Sequence, residues 1–130
     1  MEDIIKSLYN KILENKEGNV ADYIPQLKQV NPELCGISFC DVSGKMFHIG
    51  DVENEFSIQS CSKPLNYCLA RQLNKNINIH NHVGYEPSGR SFNEFALNRQ
   101  NIPHNPLINS GAIMVTSFLY PNEEPSEQFE

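Results

Sequence analysis

Phe56-Ser57-Ile58-Gln59-Ser60-Cys61-Ser62-Lys63-Pro64-Leu65 is the stretch whose reading decides the fold of this 130-residue chain. Leu65, Cys68, Leu69 and Leu73 follow at helical spacing and predict a buried stripe. Pro64 fixes where that helix starts. A proline inside a helix removes one hydrogen bond and clashes with the carbonyl four residues earlier, but within the first turn the cost largely disappears. The helix therefore begins near Ser60. That serine then lies at the positive end of the helix dipole, where backbone N–H groups can receive a developing negative oxygen.

Ser60 and Lys63 stand three residues apart, on one face of a helix, so the hydroxyl and the amine can meet. A lysine that loses water on burial gives up its proton more easily, and the neutral amine can then take the serine's proton. The same S-x-x-K chemistry drives active-site serine acyl hydrolases such as penicillin-binding proteins and class A β-lactamases. Both residue types are common, so the spacing alone is a weak signal. It also reads as a capping serine followed by a solvated lysine. The surroundings have to decide.

Upstream, residues 3–16 read as a helix with Ile5, Leu8, Ile12 and Leu13 on one face, closed by Gly18. Pro25 and Pro32 punctuate a turn-rich segment. Cys35 to Val42 reads as a strand with Ile37 and Phe39 on one face and Gly36, Ser38 and Cys40 on the other, narrow one. Ser43-Gly44 turns the chain, and Met46-Phe47-His48-Ile49 returns as the second strand of a hairpin. Downstream, Asn74 to His82 is polar and reads as a surface connection. Tyr85 to Arg90 forms turns, and Ser91 caps a short helix through Asn98. Asn105-Pro106 opens a last helix, Leu107 to Leu119, apolar nearly all round and therefore buried. Asn109 lies one turn into it.

Composition narrows the partners. A chain of this length has room for one domain of modest core. The net charge of −6 argues against a nucleic-acid or anionic-membrane partner. Glu123, Glu124, Glu127 and Glu130 concentrate that charge at the end and leave the preceding residues close to neutral. No apolar run approaches the ~20 residues of a membrane span. The start lacks both the pattern of a secretory signal and the arginines of a transit peptide, so an intracellular setting, cytoplasmic or mitochondrial, is expected. Cys61 and Cys68 are about 10.5 Å apart along a helix, too far for a disulfide, and the four cysteines read as small buried thiols. His80-Asn81-His82 shows no zinc-ligand spacing, and no metal site is expected.

Four segments in register carry a resemblance. They are Ala21-Asp22-Tyr23-Ile24-Pro25-Gln26-Leu27, Gln59-Ser60-Cys61-Ser62-Lys63-Pro64-Leu65, Val83-Gly84-Tyr85-Glu86-Pro87-Ser88-Gly89, and His104-Asn105-Pro106-Leu107-Ile108-Asn109-Ser110-Gly111-Ala112-Ile113. Together they resemble the serine-dependent glutaminase family, with the cysteine and proline beside Ser60 leaning toward the animal kidney- and liver-type enzymes. The likeness runs from about Val20 to Leu119. It implies an α/β (α+β) fold of the β-lactamase/DD-peptidase type, here incomplete, and hydrolysis of L-glutamine to L-glutamate and ammonia. By the same resemblance Ser60 is the nucleophile and Lys63 its general base. Ser60 also gives its backbone N–H to half of an oxyanion hole, Gln59 and Asn109 hold the substrate, and Tyr23 closes over the serine. Asn109 reads equally as a buried hydrogen-bonded amide, and Tyr23 as a packing residue with a surface hydroxyl. No cofactor is implied, and family members assemble as homo-oligomers.

The family's domain continues with a strand bearing Lys-Ser-Gly and further polar site residues, and this chain has no such tripeptide. Residues 1–130 are therefore expected to be the N-terminal portion of a glutaminase catalytic domain. Within it, 1–19 form a helix, 20–119 the family-like region, and 120–130 an acidic loop with a helix cut off after one turn. Three functional classes follow: a glutaminase once the rest of the domain is present, another S-x-x-K acyl hydrolase, or a silent fragment that associates with a complete homologue. Little or no turnover is expected of the isolated chain.

Overall fold

The computed structural model describes residues 1–124, so the helix start expected at 126–130 lies outside the described residues. Two compact units divide the chain, Met1–Ser57 and the residues from Ile58 onward.

In the first unit, α1 (Glu2–Glu14) and the single turn α2 (Pro25–Lys28) precede the strands β1 (Gly36–Cys40) and β2 (Met46–Gly50). Glu2 and Asp3 occupy the positive end of α1 and Lys11 its negative end, and Gly18 reverses the chain at a φ of 108°. The hairpin is antiparallel, with Gly36 opposite Gly50 and Cys40 opposite Met46, and Ile37, Phe39, Phe47 and Ile49 are its half-buried set. Asp41 closes the turn. Its Oδ1 accepts from the Ser43 amide (2.8 Å), the Ser43 hydroxyl (2.6 Å) and the Lys45 amide (3.0 Å), while Gly44 takes a φ of 86°. The expected stripe on α1 is only partly buried: Ile5 is covered, whereas Leu8, Ile12 and Leu13 are exposed. Two five-residue strands present too narrow a face to cover it.

In the second unit, Gln59–Cys61 form a 3-10 turn that runs directly into α3 (Ser62–Leu73). Pro64 thus falls in the first turn of α3, as its ring requires. A second 3-10 turn spans Ile79–Asn81, and α4 covers Asn109–Thr116. The core is Ala70, Ile79, Val83 and Val115, flanked by Tyr67, Met114, Phe118 and Leu119. Ala70 is the one fully buried residue of α3.

Several expectations are corrected here. Leu65, Cys68, Leu69 and Leu73 are exposed, because α3 turns its Tyr67–Ala70 face to the core and nothing among residues 1–124 covers the opposite stripe. The 74–82 segment is more than surface, since Ile79 is a core residue. Its His80 ring bonds the Val83 carbonyl through Nδ1 (3.0 Å) and the Tyr67 hydroxyl through Nε2 (2.8 Å). A carbonyl only accepts, so Nδ1 carries the proton and, in the neutral ring, Tyr67 donates to Nε2. No helix forms over 91–98: the Glu94 amide reaches the Ser91 carbonyl, but Asn98 then folds the chain back by accepting from Gln100 and Ile102. The last helix is shorter than expected and starts only at Asn109, because Asn105 caps a turn at 105–108 rather than α4 itself; Leu107 in that turn and Ile113 on α4 are exposed rather than buried. Cys40, Cys61 and Cys68 are exposed rather than buried. None of the helices is long and apolar enough to cross a membrane, among the described residues.

Two predictions follow. A Cβ on Gly111 would stand 1.8 Å from the Asn105 carbonyl oxygen, so Gly111→Ala must push α4 off that turn. Overpacking of this kind costs about 1–3 kcal/mol, and chemical denaturation should show at least that loss. An unchanged midpoint would refute the close approach. The Ser43 hydroxyl and the Lys45 amide hold the Asp41 carboxyl below its ordinary value. Its contribution to the turn is therefore present above the ordinary aspartate range and lost as pH falls through the lowered value. Amide exchange at Ser43 and Lys45 should accelerate beyond its intrinsic pH dependence on strong acidification, and constant protection would contradict this.

Candidate active site

Gln59, Ser62, Lys63 and Asn66 recur along the start of α3 at helical spacing, and Ala112, Ile113 and Thr116 do the same along α4. With Ser60 and Ser117 these two stripes wall a cleft of about 490 Å³. The dimensions suit a small molecule.

Gln59 enters the cleft wall with a φ of 48°, a left-handed conformation that L side chains rarely adopt. Such a backbone costs roughly 1–2 kcal/mol, and it falls immediately before Ser60. The Ser62 hydroxyl donates to the Gln59 carbonyl (2.9 Å), fixing the turn from the far side. Ser60 is exposed to the cleft, one turn ahead of Lys63.

Lys63 is half-buried, and its Nζ donates to the Leu107 carbonyl (3.1 Å) and to Asn109 Oδ1 (2.6 Å). Both are acceptors, so they engage two of the nitrogen's tetrahedral positions. One further direction is then a lone pair in the neutral amine or a third N–H in the ammonium. Among the described residues Nζ shares no hydrogen bond with Ser60 Oγ. Asn109 is the first residue of α4, and its own amide donates to the Phe92 carbonyl (3.0 Å). Tyr23 lies in the first unit, with 74 % of its surface exposed. Tyr67 bonds His80 and accepts from Arg71 (3.3 Å), its hydroxyl engaged away from Lys63.

The geometry thus brings Gln59, Ser60, Lys63 and Asn109 together. Sequence reasoning missed the Leu107 carbonyl, which no residue type announces. It also missed Thr116 on the cleft wall, which the helical period counted from Asn109 and Ala112 would have found. No cluster of His, Cys, Asp or Glu among the described residues is arranged to hold a metal ion.

A sequence profile described as Glutaminase matches residues 18–130. This chain belongs to the glutaminase family. Putative glutaminase 2 of Caenorhabditis elegans is 44% identical over 129 residues, covering 98% of this chain and 21% of that protein. The mitochondrial liver isoform of glutaminase from Mus musculus is 38% identical over 126 residues, again 97% of this chain and 21% of the relative. A glutaminase of Trichormus variabilis is 42% identical over 117 residues, 89% of this chain and 35% of its own. The chain therefore spans about a fifth to a third of the length of these relatives. Among solved structures, Mglu in its glutamate form superposes with a TM-score of 0.84 at 34% identity, covering 98% of this chain and 30% of that one. Mglu in its native form gives 0.85. The chain accordingly has the β-lactamase-like fold of the glutaminases, and contributes to it α1, the hairpin and the α3–α4 region.

The grip on Lys63 is open to test. Under competitive acetylation at a pH high enough to deprotonate both amines, Lys63 should react several-fold more slowly than exposed Lys75, and Asn109→Ala should remove much of that protection. Equal labelling of Lys63 and Lys75 in the parent chain would contradict the two-acceptor geometry.

Proposed function

We propose that residues 1–130 are the N-terminal portion of a glutaminase catalytic domain and that the whole protein hydrolyses L-glutamine to L-glutamate and ammonia. The observation that carries this reading is the Lys63 amine, held by Leu107 and Asn109 in the same cleft as Ser60, in a chain of this family. A solved relative named for its glutamate form supports the substrate class.

In this reaction Ser60 Oγ attacks the side-chain carboxamide carbon while its proton passes to Lys63 Nζ. The carbonyl π bond opens onto oxygen, and the Ser60 backbone N–H at the head of α3 stabilises that oxyanion. Collapse expels ammonia, which takes the proton back from Lys63 and leaves a γ-glutamyl ester on Ser60. Water, deprotonated by the same amine, then releases glutamate. Gln59 and Asn109 hold the amino-acid end of the substrate, for which a carboxamide suits both the ammonium and the carboxylate. No cofactor takes part. The complete protein assembles as a homo-oligomer and works in the cytoplasm or the mitochondrion, a setting supported by relatives named mitochondrial.

Ammonia release from L-glutamine by the full-length protein tests the proposal. Ser60→Ala and Lys63→Ala should each lower kcat by about three orders of magnitude or more. Retained turnover in Ser60→Ala, or none in the parent, would overturn the reading.

A further inference from the structure

Asn105 is half-buried and engages both ends of its carboxamide. Its Oδ1 accepts from the Leu107 amide (3.0 Å) and the Ile108 amide (3.2 Å), and its Nδ2 donates to the Glu86 carbonyl (3.0 Å). The segment before it is stitched to the same strip of chain, Gly84 N–H to the Pro103 carbonyl (2.8 Å) and Glu86 N–H to the His104 carbonyl (3.1 Å). On the other side α4 lies so close that only a glycine fits at 111 against the Asn105 carbonyl. The turn 105–108 is thus clamped between the 84–86 strip and α4. Its third residue supplies the carbonyl that accepts from Lys63 Nζ, and the residue after the turn supplies Asn109 Oδ1.

We infer that Asn105 is a positioning residue for Lys63: by locking the 105–108 turn it fixes both acceptors that aim the amine. This rests on the glutaminase reading for its consequence in turnover, though the positioning itself is a property of the turn. Asn105 neither bonds Lys63 nor lines the cleft, so its removal acts only through Leu107 and Asn109, and the step that needs the aimed amine loses more than substrate affinity does. A base displaced by about 1 Å can cost roughly 100-fold in rate. An aspartate keeps the acceptor that holds the two turn amides but replaces the donor to the Glu86 carbonyl with a second acceptor, so it restores only part of the lock.

The test has two arms. In the full-length protein, Asn105→Ala should lower kcat by about 10- to 100-fold with a smaller rise in KM, and Asn105→Asp should recover part of the loss in kcat. Active sites are counted by covalent labelling of Ser60 with a fluorophosphonate, so that a smaller folded fraction is not read as a lower kcat. In the 130-residue chain, acetylation of Lys63 should rise toward the Lys75 rate in Asn105→Ala and rise less in Asn105→Asp. A folded Asn105→Ala with kcat within about twofold of the parent and Lys63 still protected would overturn the inference. So would equal losses in the alanine and aspartate variants, or a loss appearing in KM alone. Should Asn105→Ala not fold, Asn105→Ser takes its place, with faster Lys63 labelling than Asn105→Asp supporting the inference and equality overturning it. Absent turnover in the parent would sink the glutaminase reading, while the acetylation arm would still decide what Asn105 does.

Discussion

Everything in the second unit converges on two hydrogen bonds from one amine, Lys63 Nζ to the Leu107 carbonyl and to Asn109 Oδ1. They tie the start of α3 to the entry of α4, two points separated by more than forty residues of chain. A charged or polar amine that is half removed from water needs such acceptors, since an unpaired one would cost more than the bonds return. The same bonds restrict where the nitrogen can point. The rest of the unit serves this geometry: Gly111 lets α4 approach the Asn105 backbone, and Ala70 and Val115 pack with Ile79 and Val83 in the core.

Backbone conformation adds a second constraint, on Ser60. Gln59 is held left-handed, the chain then makes a single 3-10 turn, and Pro64 limits how far the α-helix can extend backward. A strained residue next to a reacting one persists only where its neighbours over-determine it, and here the Ser62 hydroxyl bonds the Gln59 carbonyl. Strain, turn and helix start together leave the Ser60 hydroxyl on the cleft surface.

Local chemistry was the legible part of this sequence. The hairpin register follows from the alternation of Ile37, Phe39, Phe47 and Ile49 around an Asp-Val-Ser-Gly turn, and the start of α3 from Pro64. Gln59, Ser60, Lys63 and Asn109 were nameable because a family resemblance placed them; the first three line one cleft, as helical periodicity implies, and Asn109 joins them through its bond to Lys63. Burial was misread. Leu65, Leu69 and Leu73 have the spacing of a core stripe, yet α3 buries Ala70 instead, since periodicity marks an apolar face without saying which residues cover it. The start of the last helix was misplaced for another reason. Asn105-Pro106 is a good cap, and it was spent on a turn that serves Lys63 before α4 begins. Backbone acceptors such as the Leu107 carbonyl carry no side-chain signature at all.

The central claim is that a serine hydroxyl and an oriented lysine amine capture an amide carbon. Acid quench of the full-length protein during turnover of L-glutamine, followed by peptide mass mapping, addresses it most directly. The account predicts a γ-glutamyl ester on the peptide bearing Ser60, missing from the Lys63→Ala protein. Ammonia released with no adduct under any quench time, or an adduct on a different residue, would contradict it.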